Sequence, residues 1–328
     1  MLKINDHNPA KVLVTGATGF VGQELCRRLK TKGFDLVGVG RSARCLLSSG
    51  SNFYQRDLET DDINDLVSGD LSCIVHAAGQ AHCKGGNSTQ QLQSFWRANV
   101  EVSTRLARLA IETRVRRFVF VSSIGVHGSG TKDAPISEDS GFNPVSRYAA
   151  SKLEAERSLI SLFETSQHSE LTIVRPTLVY GENAPGNFGR LLKLANSPLP
   201  LPFGQCVNRR NLISLSSLVD FLIACTHASG AADQCFDVAD SSALSTADIV
   251  SSLRRGMDRS ERLVSIPPRL ISAGLRLIGK SEIYNQLFND LEVDNKKAKT
   301  LVDWTPCHNS KLELEKIGRL YADFAARN

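Results

Sequence analysis

Tyr148 and Lys152 stand four residues apart in Asn143-Pro-Val-Ser-Arg-Tyr-Ala-Ala-Ser-Lys-Leu-Glu-Ala-Glu156, and Ser123 closes the apolar run Phe118-Val-Phe-Val-Ser-Ser123 upstream. Four-residue spacing on a helix puts phenol and ammonium on one face. An ammonium beside a phenol favours the phenolate, so the pattern predicts a lowered Tyr148 pKa and proton exchange nearer neutral pH. A serine hydroxyl at a strand end can hold a substrate oxygen against that phenol. Together the three groups could interconvert an alcohol and a ketone, provided a hydride carrier lies alongside. Taken alone, a Tyr and a Lys at this spacing also fit an ordinary amphipathic helix.

The carrier's site is legible near the start of the chain. Lys11-Val-Leu-Val-Thr15 is a short β-branched run, the pattern of a buried parallel strand. Gly16-Ala-Thr-Gly19-Phe-Val-Gly22 follows at once and leads into the helical pattern Gln23-Glu-Leu-Cys-Arg-Arg-Leu-Lys30. Glycines there permit a tight turn, a close backbone approach to a pyrophosphate and tight packing of helix on strand, while free amides at the helix start face the phosphates. The spacing is G-x-x-G-x-x-G rather than G-x-G-x-x-G. Between strand and helix, and followed by Tyr148 and Lys152, it predicts a dinucleotide enzyme.

The second strand, Phe34-Asp-Leu-Val-Gly-Val39, runs into Gly40-Arg41-Ser42-Ala43-Arg44. An acid at its end would bind both adenosine ribose hydroxyls of NAD. Gly40 occupies that place, and Arg41 offers a planar donor fork to a 2′-phosphate. The reading is NADP(H) in preference to NAD(H), with NAD(H) possible; a solvated basic loop is the plain alternative.

With these residues in view, the chain resembles an extended short-chain dehydrogenase/reductase of the nucleotide-sugar epimerase/dehydratase/reductase family. The likeness covers nearly the whole chain: the glycine motif, Asp57-Leu58, His76-Ala-Ala-Gly79, Asn99-Val100, Ser123, Tyr148, Lys152 and Arg175-Pro-Thr-Leu-Val-Tyr-Gly181. It implies that Gly16, Thr18, Gly19, Phe20, Val21 and Gly22 hold the dinucleotide, with Asp57 and Leu58 at adenine and Ala77 and Ala78 along the cofactor. Asn99, Val121, Pro176 and Thr177 would complete that site. Tyr148 would serve both cofactor and catalysis, and Lys152 would hold the nicotinamide ribose. Asn208-Arg-Arg-Asn-Leu-Ile-Ser-Leu-Ser-Ser-Leu-Val-Asp220 resembles a family segment in which Arg210 would clamp a substrate diphosphate, and Asn187 would contact the sugar-linked phosphate. Surface and turn roles are the plain alternatives for these two. His82 and Lys84, in a glycine-rich loop, read first as exposed loop residues. His127 stands where relatives usually carry Tyr and receives no catalytic role.

One departure narrows the reaction. Nucleotide-sugar 4,6-dehydratases follow the active-site Ser/Thr with an Asp-Glu pair, whereas Ser123 precedes Ile124-Gly125. Without that pair, elimination across C5–C6 lacks its acid and base. Two enzymatic readings remain. The first is NADPH-dependent reduction of a UDP-4-keto-6-deoxy-N-acetylhexosamine for bacterial surface polysaccharide, the second a UDP-hexose 4-epimerase. Segments around Val121, Pro135 and Asn143 resemble polysaccharide-cluster proteins that include reductases forming UDP-N-acetylquinovosamine. A non-catalytic, dinucleotide-binding regulator is a third reading, opposed by the intact Ser123, Tyr148 and Lys152.

Composition sets the remaining bounds. The chain has 328 residues, 41% hydrophobic and 22% charged, with a net charge of +5, as an ordinary globular protein would. Arg114-Val-Arg-Arg117 and Lys296-Lys-Ala-Lys299 are short and lack interleaved aromatics, so neither nucleic acid nor membrane is expected as a partner. Eight cysteines without a C-x-x-C, together with an N-terminus lacking a signal-like apolar stretch, predict free thiols, no metal and a cytoplasmic location. Strands expected at 11–15, 34–39, 52–55, 72–75, 117–121 and 171–174 alternate with helices, the pattern of a Rossmann-type doubly wound parallel sheet. Cys235-Phe-Asp-Val-Ala239 reads as a strand returning to it. The expected division is a dinucleotide-binding domain of residues 1–181 plus 208–239 and a mainly helical nucleotide-sugar lobe of residues 182–207 plus 240–328. Long helices near 88–113 and 144–166 could pair in a homodimer, as their family counterparts do.

Overall fold

The computed structural model describes residues 10–42, 52–81, 88–131, 133–277 and 287–327. Residues 1–7, Ala43, Arg44, Cys45, His82, Cys83 and Lys84 lie outside them. Strands β1 (Lys11–Thr15), β2 (Asp35–Gly40), β3 (Asn52–Gln55), β4 (Leu71–His76), β5 (Arg117–Val121) and β6 (Glu170–Pro176) match the expected positions to within two residues. Two short strands, β7 (Leu178–Tyr180) and β8 (Leu212–Ser214), pair with each other and were not foreseen. With β9 (Gln234–Val238), the main sheet runs β3-β2-β1-β4-β5-β6-β9, every neighbouring pair parallel. The returning strand expected at Cys235 is thus the edge beside β6.

Near-continuous apolar runs suit a sheet covered on both faces, because side chains alternate along each strand. Val12, Val14, Cys73, Val75, Val119 and Val174 point to one face. There they meet Leu25 and Leu29 of α1 (Phe20–Thr31) and Leu218, Phe221 and Leu222 of α6 (Leu215–Cys225). Leu13, Ile74, Phe118, Phe120 and Ile173 point to the other. They pack on Leu106 and Ala110 of α3 (Val102–Glu112) and Leu159 and Phe163 of α4 (Arg147–Phe163).

A further apolar cluster joins Tyr180 and Leu212 to Phe188 and Leu192 of α5 (Gly186–Ala195), Ile249 and Leu253 of α7 (Thr246–Gly256), and Leu314 and Ile317 of α10 (Ser310–Arg327). Arg254, fully buried on α7, donates to the carbonyls of Ala195, Ser197, Leu199 and Glu261. It thereby satisfies acceptors that the end of α5 leaves open. Helices α8 (Pro268–Leu277) and α9 (Lys296–Val302) complete this part of the chain.

Two helix boundaries differ from expectation, each for a local reason. The stretch expected to be one helix over 88–113 is α2 (Ser88–Trp96) and α3 separated by a π-helical turn, Arg97–Glu101. The second begins at Arg147 because Ser146 caps it, its hydroxyl accepting from the Ala149 amide at 3.1 Å. That cap sets the register at which Tyr148 and Lys152 face the sheet.

Candidate active site

Two glycines of the first turn are required by space. Gly16 has φ +70°, and a Cβ there would lie 2.7 Å from the Ala78 amide nitrogen. A Cβ on Gly22 would lie 2.0 Å from the Gly16 carbonyl oxygen, so the start of α1 rides directly on the turn. Gly19 is the N-cap of α1 and supplies no capping side chain, and no acid stands in the first turn. The leading amides therefore point outward unneutralised, the arrangement that binds phosphate.

A cleft opens from this turn. Its wall carries Gly16, Thr18 and Gly19, then Gly40, Arg41, Asp57 and Leu58, then Ala77 and Ala78. Sequence reasoning named all of these residues. It missed Arg56 and Glu59, which line the same cleft, and Gln80. Gly40 stands where the acid would be, and a Cβ there would crowd the Thr18 side chain, 2.7 Å from its Oγ1. Asp57 accepts from the Glu59 amide at 3.0 Å, shaping the loop as well as the wall. Phe20 packs into the cluster around Tyr180, while Val21 packs against the α1–α6 face of the sheet.

The catalytic candidates converge at the carboxyl ends of β5 and β6. Ser123 stands close enough to Tyr148 for its hydroxyl to lower the phenol pKa. Ser123 Oγ also accepts from the Gly125 amide at 3.2 Å, which holds it at the head of a single 3₁₀ turn. Lys152 is buried, donates to the Val121 carbonyl at 2.8 Å and lies 4.4 Å from the Phe120 ring centroid. Gly79 gives it room, since a Cβ there would come within 3.2 Å of Nζ.

The electrostatics correct one expectation. Burial raises the Tyr148 phenol to about 12, and the group that offsets this is Ser123 rather than Lys152. Burial drives Lys152 down to about 8, partly countered by Glu156 one turn further along α4. The Lys152 ammonium is committed to Val121 and the Phe120 face, and the Tyr148 ring packs 6.4 Å from that of Phe95. Tyr148 is thus a protonated phenol at neutral pH.

Behind these groups stands a support that the sequence did not reveal. Asn99, fully buried on the π turn, accepts from the Gln80 amide at 2.8 Å. Its Nδ2 donates to the Gln80 carbonyl and to Ser151 Oγ, tying the β4 loop to the helix of Lys152. His76 bridges Thr15 Oγ1 at 2.6 Å and Ser103 Oγ at 2.9 Å, and burial lowers its pKa to about 3, so it stays neutral. Glu156 receives three contacts from Arg175, the shortest 2.7 Å, and a hydrogen bond from Ser122. Arg175 also meets His127 at 3.2 Å and Asp237 at 3.7 Å. His127 therefore belongs to a buried charge cluster beneath the site.

Pro176 ends β6, and Thr177 follows with a buried Oγ1 that has no hydrogen-bond partner among the described residues. That orphaned hydroxyl, the uncapped helix start and the glycine turn fit a bound dinucleotide. Asn187 is the second residue of α5. Arg210 pairs through its backbone with Leu244 and Leu291 and donates from Nη1 to the Asn289 carbonyl at 2.6 Å. Burial lowers its pKa to about 10. Among the described residues no cluster of His, Cys, Asp or Glu is placed to hold a metal ion.

A parallel doubly wound sheet with a glycine turn at β1 and a Ser-Tyr-Lys set at β5 and α4 defines a dinucleotide-dependent enzyme of the short-chain dehydrogenase/reductase class. Residues 12–228 match the NAD dependent epimerase/dehydratase family, and the chain belongs to that family. It is 33% identical over 300 residues, 91% of each chain, to a UDP-glucose 4-epimerase of Vibrio cholerae. It is 24% identical, over 91% of this chain and 89% of the relative, to an N-acetyl-alpha-D-glucosaminyl-diphospho-ditrans,octacis-undecaprenol 4-epimerase of Escherichia coli O157:H7. The fold is shared with UDP-glucuronic acid 4-epimerase from Bacillus cereus, solved with NAD, at TM-score 0.77 and 21% identity over 97% and 99% of the two chains.

Proposed function

We propose that the chain is an NADPH-dependent oxidoreductase acting at C4 of a UDP-sugar, reducing a UDP-4-keto-6-deoxy-N-acetylhexosamine to its C4 alcohol. A dinucleotide held by the glycine turn would supply a hydride to C4. Ser123 holds the C4 oxygen and stabilises the phenolate left when Tyr148 gives its proton to that oxygen, while Lys152 would hold the nicotinamide ribose. Asn187, from a lobe of residues 182–207 and 240–328, and Arg210, from the 208–239 segment of the dinucleotide-binding domain, take the diphosphate. Thr177, with Gly16, Thr18, Gly19, Phe20, Val21, Gly22, Asp57, Leu58, Ala77, Ala78, Asn99, Val121 and Pro176, forms the cofactor site. The setting we infer is cytoplasmic synthesis of bacterial surface polysaccharide by a homodimer that pairs α3 and α4.

The observation that carries the NADPH reading is the adenosine end of the cleft, where Gly40 brings no carboxylate while Arg41 and Arg56 both line the wall. Two guanidinium groups without a β2 carboxylate favour a 2′-phosphate. A cofactor consumed stoichiometrically as NADPH suits net reduction.

A UDP-hexose 4-epimerase is the second reading, favoured by the Vibrio cholerae relative's end-to-end likeness. Both readings use the same hydride and proton transfers, since an epimerase oxidises C4 and then reduces it from the other face. The test is to supply UDP-GlcNAc or UDP-Glc alone, and separately the 4-keto-6-deoxy sugar with NADPH. The proposal expects NADPH oxidation only with the keto sugar. Rapid C4 epimer formation without added cofactor would replace it with the epimerase.

A further inference from the structure

The edge of the second lobe carries a charge and apolar pattern that C4 chemistry does not use. Residues 254–277 hold six arginines against two acids, a surplus of four in a chain whose net charge is +5. Arg259, Arg262, Arg269 and Arg276 are exposed. Glu261 is already paired with Arg255 at 2.9 Å. On α8, Leu270 and Leu277 are 64% and 89% exposed, and each directly follows an exposed arginine. Seven-residue spacing stacks the two leucines on one face, with exposed Ala273 between them. The preceding segment adds Val264, exposed, whose amide donates to the Leu201 carbonyl.

We propose that this edge docks on an anionic membrane surface, with Leu270 and Leu277 entering the acyl boundary and the four arginines at the headgroup phosphates. A basic helix with leucines along its outer face lies in the interface plane, and arginine stems reach past apolar surface to the phosphates. At ten residues α8 is about 15 Å long, so it lies on a bilayer rather than spanning it. No helix among the described residues is long and apolar enough to cross a membrane. A second copy on this face would set arginines against arginines, a like-charge contact that opposes association. The leucines between them give nucleic acid nothing to read. The expectation of no membrane partner rested on compact basic runs elsewhere, whereas these charges are spaced along a loop and one helix.

The test is co-sedimentation of the full chain with phosphatidylglycerol-containing vesicles and with pure phosphatidylcholine vesicles, at about 0.1 M and about 0.5 M salt. The expected result is partition at least about tenfold stronger into the anionic vesicles, lost at the higher salt. Arg269→Ala with Arg276→Ala should weaken it about 25-fold, a factor of about five for each charge. Leu270→Glu with Leu277→Glu should abolish it, with the melting temperature confirming that each variant is folded. Wild-type protein that stays in the supernatant, or partitions equally into both vesicles, overturns the proposal. So does a leucine variant that changes oligomeric state while vesicle binding persists.

Discussion

Replacing Lys152 with methionine should stabilise the folded protein at pH 7 while ending hydride transfer. The native ammonium titrates near 8 because burial disfavours its charge, against 10.5 for the same group in an unfolded chain. The unfolded chain therefore holds this proton more tightly, and stability rises with pH between those values. Below pH 8 the native state carries the full penalty, about 3 kcal/mol for the distance from 10.5 to 8. Methionine removes that penalty but also the bond to the Val121 carbonyl and the contact with Phe120, together worth about 1–2 kcal/mol. The net expectation at pH 7 is a variant about 1–2 kcal/mol more stable. By pH 9.5 wild type has shed most of its penalty, so the gap should close or reverse. Urea denaturation of both proteins at the two pH values measures this directly. A variant less stable than wild type at pH 7, or a gap that does not change with pH, would refute the reasoning. Activity should vanish in either case, since the cation proposed to hold the nicotinamide ribose is lost.

Three other perturbations follow from the same geometry. Among the described residues, Glu156→Gln leaves Arg175 with the Asp237 carboxylate alone nearby, at 3.7 Å, and should cost about 3 kcal/mol in chemical denaturation; a loss under 1 kcal/mol would mean the pair is dispensable. Arg41→Ala with Arg56→Ala should weaken NADPH binding roughly 10- to 100-fold in a fluorescence titration and leave NADH unchanged, and an equal loss for both cofactors would remove these residues from the 2′-phosphate site. Gly22→Ala drives a Cβ to 2.0 Å from a backbone oxygen, so it should lower stability by at least about 2 kcal/mol and abolish dinucleotide binding. A variant that melts and binds like wild type would show that the turn can open.

The candidate residues that the fold brings together could be read from the sequence because their patterns are local: a β-branched run, glycines where helix meets strand, and a tyrosine and lysine one turn apart. The strands were legible because burial on both faces leaves uninterrupted apolar runs. What was hidden depends on partners distant in the chain. Glu156 and Arg175 each look like solvent-facing charges, and only the approach of α4 to β6 makes them a buried pair. The π turn at Asn99 has no composition of its own; on it the Asn99 side chain reaches Gln80 and Ser151 together. The arginines of residues 259–276 were missed because their spacing matches no single run.

The one overturned electrostatic expectation bears on the direction of reaction. Proximity in sequence suggested that Lys152 would acidify Tyr148, but the sign was decided by burial, which raises the phenol to about 12 while holding Lys152 near 8. At pH 7 the resting pair is therefore a neutral phenol and a weakly held ammonium. A neutral phenol can give its proton to a developing alkoxide at once, which is the demand of ketone reduction. Alcohol oxidation, the opening half of an epimerase cycle, needs the phenolate first and must overcome that raised pKa. The raised phenol pKa therefore predicts that alcohol oxidation by this site speeds up as pH rises through the alkaline range while ketone reduction does not, and an oxidation rate independent of pH would overturn it.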